Sequence, residues 1–217
     1  MMTLTIDPAQ PDQQAIETAA DYIKLGKLVV HPTDTLYGLA GHVGIHRTVQ
    51  KIFEIKQREE TAPLSALIGE PDQLEPLVAG VPDAAAKLMD QFWPGPVTLI
   101  FPAAETVNPV LIGFGNTIGL RLPDHALSRE LCRASRTAIT STSVNLRGQQ
   151  PAAGPADIDP KITQHINCLI DGGDQNLSTP STLIDTTVTP VRVLRVGAVS
   201  LEDIAACVEI AEPEQEA

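Results

Sequence analysis

Nine residues, His31 to Leu39 (HPTDTLYGL), place the tightest constraint on this chain. They follow an apolar run, Leu28-Val29-Val30, that reads as a buried strand, and a helical pattern resumes near Ile45. Proline, two threonines, an aspartate and a tyrosine followed by glycine are costly to bury unpaired. At the carboxyl end of a strand they are exposed to the crevice where open α/β sheets bind ligands. The same hydroxyls could instead satisfy their own backbone in a strand-to-helix connection. The nine residues alone leave both readings open.

The rest of the chain supplies alternating layers. Asp12 can cap a helix in which Ala15, Ile16, Ala19, Ala20 and Ile23 recur at helical spacing, and Gly26 ends it. Lys27–His31 is a strand, and a second helix from His46 buries Val49, Ile52 and Phe53. A strand at 63–68, a helix from Asp83 to Phe92, a turn at Trp93-Pro94-Gly95-Pro96 and a strand Val97–Phe101 follow. Then come a strand Thr117–Leu122, a helix Asp124–Ala134, a strand Thr137–Ser141, a polar loop to Gly148 and a short helix at 162–166. Strands are expected at Cys168–Asp171, Thr182–Asp185 and Val191–Val196, then a helix from Ser200 with Ser200 and Asp203 in capping positions. The reading is one α/β domain over 12–210 with a mixed sheet, and loose termini at 1–11 and 211–217.

Composition narrows the function. The 217 residues are 43% hydrophobic but only 3% aromatic, so the core must be aliphatic. No apolar run approaches the roughly 20 residues that span a bilayer, and no membrane association is expected. The first residues carry no secretory pattern. Cys132, Cys168 and Cys207 form no CxxC pair, which indicates neither a disulfide framework nor a structural zinc site. A reduced, cytoplasmic location is expected. The net charge of −12 opposes general nucleic-acid binding. The charge is uneven, however: six acidic residues and no base lie beyond Val196. Arg47, Lys51, Lys56 and Arg58 form one basic block, and Arg121, Arg129, Arg133, Arg136 and Arg147 another. Such local charge suits a small anion.

Four polar clusters fall at strand or helix ends: Thr33-Asp34-Thr35, Lys56-x-Arg58, Ser141-x-Ser143-x-Asn145, and Ser181-Thr182 with Arg195. Together they could form a pocket of hydroxyl, amide, ammonium and guanidinium groups for carboxylate and phosphate; singly, they could be caps and solvated charges. Neither common nucleotide cradle occurs, nor a G-x-S-x-G elbow. His42 and His46 lack the glutamate of a zinc-binding helix, and no protein metal site is expected.

The ordered segments HPTDTLYGL, IKQR, FWPGPVTLIF, IGLRLP, TSTSVN-x-x-G, STLID and LRVG strongly resemble the YrdC-like family, the threonylcarbamoyl-AMP synthases of tRNA modification. The resemblance runs from about Ala15 to Gly197. It implies a twisted open sheet around a large concave cavity. It implies synthesis of threonylcarbamoyl-AMP from L-threonine, bicarbonate and ATP with release of pyrophosphate, Mg²⁺ accompanying the ATP. Partner proteins would pass the threonylcarbamoyl group to tRNA. By motif position, Thr35, Arg121, Ser143 and Ser181 would hold threonine. Lys56, Arg58, Thr117, Asn145 and Arg195 would hold ATP, with Lys56 and Arg58 stabilising charge in the reaction. The sequence departs from the family pattern at Glu59, Ala62, Val144, Pro151-Ala152-Ala153 and around Ser178. A paralogue acting on another carbamoyl or acyl adenylate is the alternative enzyme. A module that binds tRNA or double-stranded RNA directly is the alternative from another class.

Overall fold

A computed structural model describes residues 1–7, 10–57, 64–174 and 179–212. The strands are β1 (Met2–Thr5), β2 (Val29–His31), β3 (Gly38–Ala40), β4 (Ser65–Leu67), β5 (Val97–Pro102), β6 (Thr117–Arg121), β7 (Ile139–Ser143), β8 (Cys168–Asp171), β9 (Thr182–Asp185) and β10 (Arg192–Arg195). The helices are α1 (Gln13–Lys24), α2 (His46–Lys56), α3 (Asp83–Phe92), α4 (Ala126–Ser135), α5 (Pro160–Thr163) and α6 (Leu201–Ala205). The strands form one mixed sheet in the order β1-β8-β2-β3-β7-β4-β6-β5-β9-β10.

Two elements differ from the sequence reading. Residues 1–11 were expected to be a loose arm, yet β1 pairs in parallel with β8, Met2 opposite Cys168 and Thr5 opposite Asp171. Ile6 behind it is buried with α1 and β8 residues. The HPTDTLY segment is also not a connection to a helix. It joins β2 to β3, antiparallel neighbours with His31 opposite Gly38 and Val29 opposite Ala40. The apolar triplet Gly-Leu-Ala is too short to announce a strand by periodicity. Smaller shifts are ordinary at element ends: the short helix near 162–166 is α5 at Pro160–Thr163.

Several caps follow from local sequence. Asp12 accepts from the Ala15 amide at 2.7 Å and starts α1. Ser200 accepts from the Asp203 amide at 3.2 Å and donates to the Asp203 carboxylate at 2.6 Å, which starts α6. Glycine and arginine take left-handed backbone where helices stop, at Gly26 and Arg136.

Strand side chains alternate between faces, so register divides the core. Val29, Ala40, Leu67, Ile139, Cys168 and Ile170 share one cluster with Ala19, Ala20 and Ile23 of α1 and Leu127, Leu131 and Cys132 of α4. The intervening residues Val30, Leu39, Ala66, Leu99 and Leu120 join the larger cluster with Ile52 and Phe53 of α2 and Leu88 of α3. Both clusters are largely aliphatic, with Tyr37, Phe53 and Phe101 the buried aromatics of the larger one.

Candidate active site

The face that carries the α1 and α4 cluster continues along the strands past Leu67 and Ile139, beyond the part these helices cover. Across β7, β4, β6 and β5, Ser141 lies opposite Ser65, Ser65 beside Gly119, and Gly119 opposite Ile100. One step along the strands, Leu67 lies beside Arg121 and opposite Ile139. Gly119 and two serines leave a depression, because small side chains cannot fill the space above the strands. A Cβ on Gly119 would lie 3.1 Å from the Ser65 hydroxyl. The resulting cavity of about 180 Å³ is lined by Thr33, Thr35, Tyr37, Ser65, Thr98, Arg121, Ser141, Ser143, Ser181 and Arg195, among others.

Five of the residues assigned to threonine or ATP, Thr35, Arg121, Ser143, Ser181 and Arg195, therefore line one cavity. Thr35 is fixed by its own loop: its amide donates to the Thr33 hydroxyl at 3.1 Å, and the two hydroxyls are also 3.1 Å apart. Thr33 in turn donates to the Leu36 carbonyl at 2.7 Å. Tyr37 ties this loop to the segment after β8, donating to the Gly173 carbonyl at 2.7 Å and accepting from the Gly172 amide at 3.1 Å. The loop thus satisfies its backbone and faces a cavity at once.

Arg121 is buried and paired with Asp34, Nη1 to Oδ1 at 2.8 Å. Burial lowers its pKa, and the Asp34 carboxylate opposes that shift; an arginine stays charged in either case. Arg195 donates from Nε and Nη2 to the Ser181 carbonyl at 3.1 and 2.9 Å, and from Nη2 to the Ser181 hydroxyl at 3.2 Å. Thr98, inside the aliphatic strand β5, completes this corner with its hydroxyl 2.8 Å from that of Ser181.

Two of the residues assigned to ATP, Lys56 and Asn145, meet beside the cavity-lining Ser143. Lys56, at the end of α2, donates to the carbonyls of Ser143 and, at 2.9 Å, Asn145, and to Asn145 Oδ1 at 3.3 Å. Asn145 itself accepts from the Ser143 hydroxyl and donates to the Leu146 and Gln149 carbonyls at 3.1 and 2.7 Å. Thr117 does not line the cavity; its hydroxyl donates to the Phe114 carbonyl at 3.0 Å. It shares a face of β6 with Gly119 and Arg121, roughly 13 Å along the strand from Arg121. Arg58 lies outside the described residues, as do Glu59, Ala62 and Ser178.

Sequence reasoning passed over Thr98, Ser65 and Gly119 as lining or floor. A single threonine after Val97 and a lone glycine inside Thr117–Arg121 were the available signals, since an apolar strand gives no packing reason for either. Asp34 and Ser141 were noticed only as members of polar clusters.

A family model for the Sua5/YciO/YrdC domain, described as "Telomere recombination", matches residues 21–197. The chain belongs to the Sua5/YciO/YrdC family. Among Sua5/YciO/YrdC relatives, the threonylcarbamoyl-AMP synthase of Pyrococcus abyssi is 36% identical over 204 residues, 94% of this chain and 60% of that protein. The threonylcarbamoyl-AMP synthase of Chromohalobacter salexigens is 30% identical over 176 residues, 81% of this chain and 95% of that protein. The crystal structure of P. abyssi Sua5 complexed with L-threonine superposes with a TM-score of 0.90 at 33% identity, covering 97% of this chain and 63% of that one. Escherichia coli YciO superposes with a TM-score of 0.86 at 26% identity, covering 94% of this chain and all of that one. This chain thus spans about 60% of the P. abyssi protein and nearly the full length of the shorter relatives.

Proposed function

We propose that this chain is a threonylcarbamoyl-AMP synthase, a nucleotidyltransferase that converts L-threonine, bicarbonate and ATP into threonylcarbamoyl-AMP and pyrophosphate. The observation that carries the reading is the pairing of a buried arginine with hydroxyl groups in one small cavity. Arg121 is a fork for a carboxylate, and Thr35, Ser143 and Ser181 supply hydroxyls around it. The cavity of about 180 Å³ suits a small polar molecule rather than a whole nucleotide. The nucleotide therefore extends beyond it, toward Lys56 and Asn145 on one side and Thr117 along β6. The P. abyssi homologue has been crystallised with L-threonine, which supports threonine as the occupant.

In this reading the threonine amine first combines with bicarbonate to give a carbamate and water. A carbamate oxygen then attacks the α-phosphorus of ATP, the bond to the β-phosphate oxygen breaks, and pyrophosphate leaves. This needs orientation and charge stabilisation more than a protein nucleophile. Arg121 anchors the carboxylate, and Lys56, Arg58 and Arg195 meet phosphate charge. Among the described residues no group of three or more His, Cys, Asp or Glu could hold a metal ion. We assign Mg²⁺ to the ATP phosphates and water, a usual environment for this ion. Transfer of the threonylcarbamoyl group to tRNA would fall to partner proteins in the cytoplasm.

The test is pyrophosphate release from ATP and bicarbonate with L-threonine, L-serine or L-valine. Release should require a β-hydroxyl, since a site built to bond a hydroxyl rejects an isostere without one. Equal release with valine would overturn the substrate assignment.

A further inference from the structure

We infer that Asp34 is a positioning residue: it holds one edge of the Arg121 guanidinium so that the other edge meets the carboxylate of the substrate. The inference rests on the amino-acid reading above. Asp34 sits in the middle of the β2–β3 loop, and its two carboxylate oxygens do different things. Oδ1 accepts from Arg121 Nη1 at 2.8 Å. Oδ2 accepts from the Asp124 backbone amide at 3.1 Å, just after β6. The carboxylate therefore clamps the loop that carries Thr33 and Thr35 onto the end of the strand that carries Arg121.

The clamp uses one nitrogen of the fork. Among the described residues, Nε and Nη2 of Arg121 have no acceptor, and neither belongs to the enclosed polar atoms that lack a partner. Arg121 lines the cavity, and these two donors are the ones it has left to offer there. An arginine long enough to adopt many rotamers is thereby reduced to one orientation before a ligand arrives, and binding need not supply that ordering.

Charge leads to the same conclusion. Arg195 is close enough to disfavour the charge of Arg121, and Asp34 acts the other way. Asp34 thus offsets one of the two guanidinium charges at the cavity. His125, which caps α4 beside this cluster, is held below its ordinary pKa mainly by burial, so it adds no charge at neutral pH.

The experiment compares L-threonine with L-threoninol, in which a hydroxymethyl group replaces the carboxylate. Titration calorimetry on the full chain measures both for the unaltered protein, Asp34→Ala and Asp34→Asn. The unaltered protein should prefer threonine strongly; binding of neither molecule would overturn the amino-acid reading itself, before any variant is considered. With that preference in place, Asp34→Ala should lose about 10- to 100-fold in threonine affinity, the scale of one charge-assisted hydrogen bond. Its threoninol affinity should stay within about threefold, because that ligand does not use the aligned fork. Should Asp34→Ala fail to fold, Asp34→Asn decides. It keeps an acceptor toward Arg121 and should show a smaller loss, again confined to threonine. Equal weakening of both ligands would reduce Asp34 to a structural tie, and tighter threonine binding by Asp34→Asn would make it only a competing charge. Either result overturns the inference.

Discussion

His31 is fully buried at the end of β2, and its pKa is lowered to about 3, first by burial and then by the neighbouring His125. Its Nδ1 lies 3.0 Å from the Pro32 carbonyl and so carries the proton, while Nε2 has no partner. In the unfolded chain the same imidazole takes a proton near its ordinary pKa of about 6.5. The stability that neutral His31 contributes is complete above pH 6.5 and is lost as pH falls toward 3, by about 1.4 kcal/mol per pH unit. His42 and His125, also lowered by burial, act in the same direction. Denaturant titrations between pH 8 and 5 should show this decline, and His31→Asn should make it shallower; an unchanged slope would mean that His31 is not the group responsible. Arg121→Lys keeps the charge but removes the planar fork, and threonine affinity should fall about 100-fold by calorimetry. At this scale the sequence was informative wherever a polar residue sat at a strand end, as with Thr35, Arg121 and Ser143. It was silent about partners: nothing in HPTDTLYGL says that its aspartate meets Arg121, 87 residues away.

At the scale of elements, glycines determine what the strands can bring together. A Cβ on Gly197 would collide with the Pro180 carbonyl and the Ser181 backbone. That contact lets the chain leaving β10 pass against Ser181, whose carbonyl holds Arg195. Gly197→Ala should destabilise the protein by about 1–3 kcal/mol, the usual range for overpacking, measured by urea unfolding; a neutral result would show that the crossing can open freely. Gly119→Val should behave differently. Valine suits a strand, so the melting temperature should hold within a few degrees, but its methyl groups would occupy the cavity floor and threonine binding should be lost. Retained binding would place the ligand elsewhere. Most elements were visible as apolar runs of 4–6 residues or helical stripes. The strands β1 and β3 were not, because Met2–Thr5 buries little of itself and Gly38–Ala40 has only three residues. Their pairing is dictated by neighbours in space, β8 for one and β2 with β7 for the other.

For the whole molecule, a ten-stranded mixed sheet divides two largely aliphatic cores and leaves part of one face uncovered beyond α1 and α4. The uncovered part carries the polar groups that the sequence scatters from Thr33 to Arg195. Mixed order could not be read from the chain, since parallel and antiparallel neighbours are mixed without a repeated unit. The central claim is that this cavity takes an amino acid and commits it to an adenylate. The most direct test is pyrophosphate release from ATP and bicarbonate by the full chain, with and without L-threonine. Release that depends on threonine, and fails with valine, is the predicted result. Release without threonine, or none from folded protein with all three substrates present, would contradict it.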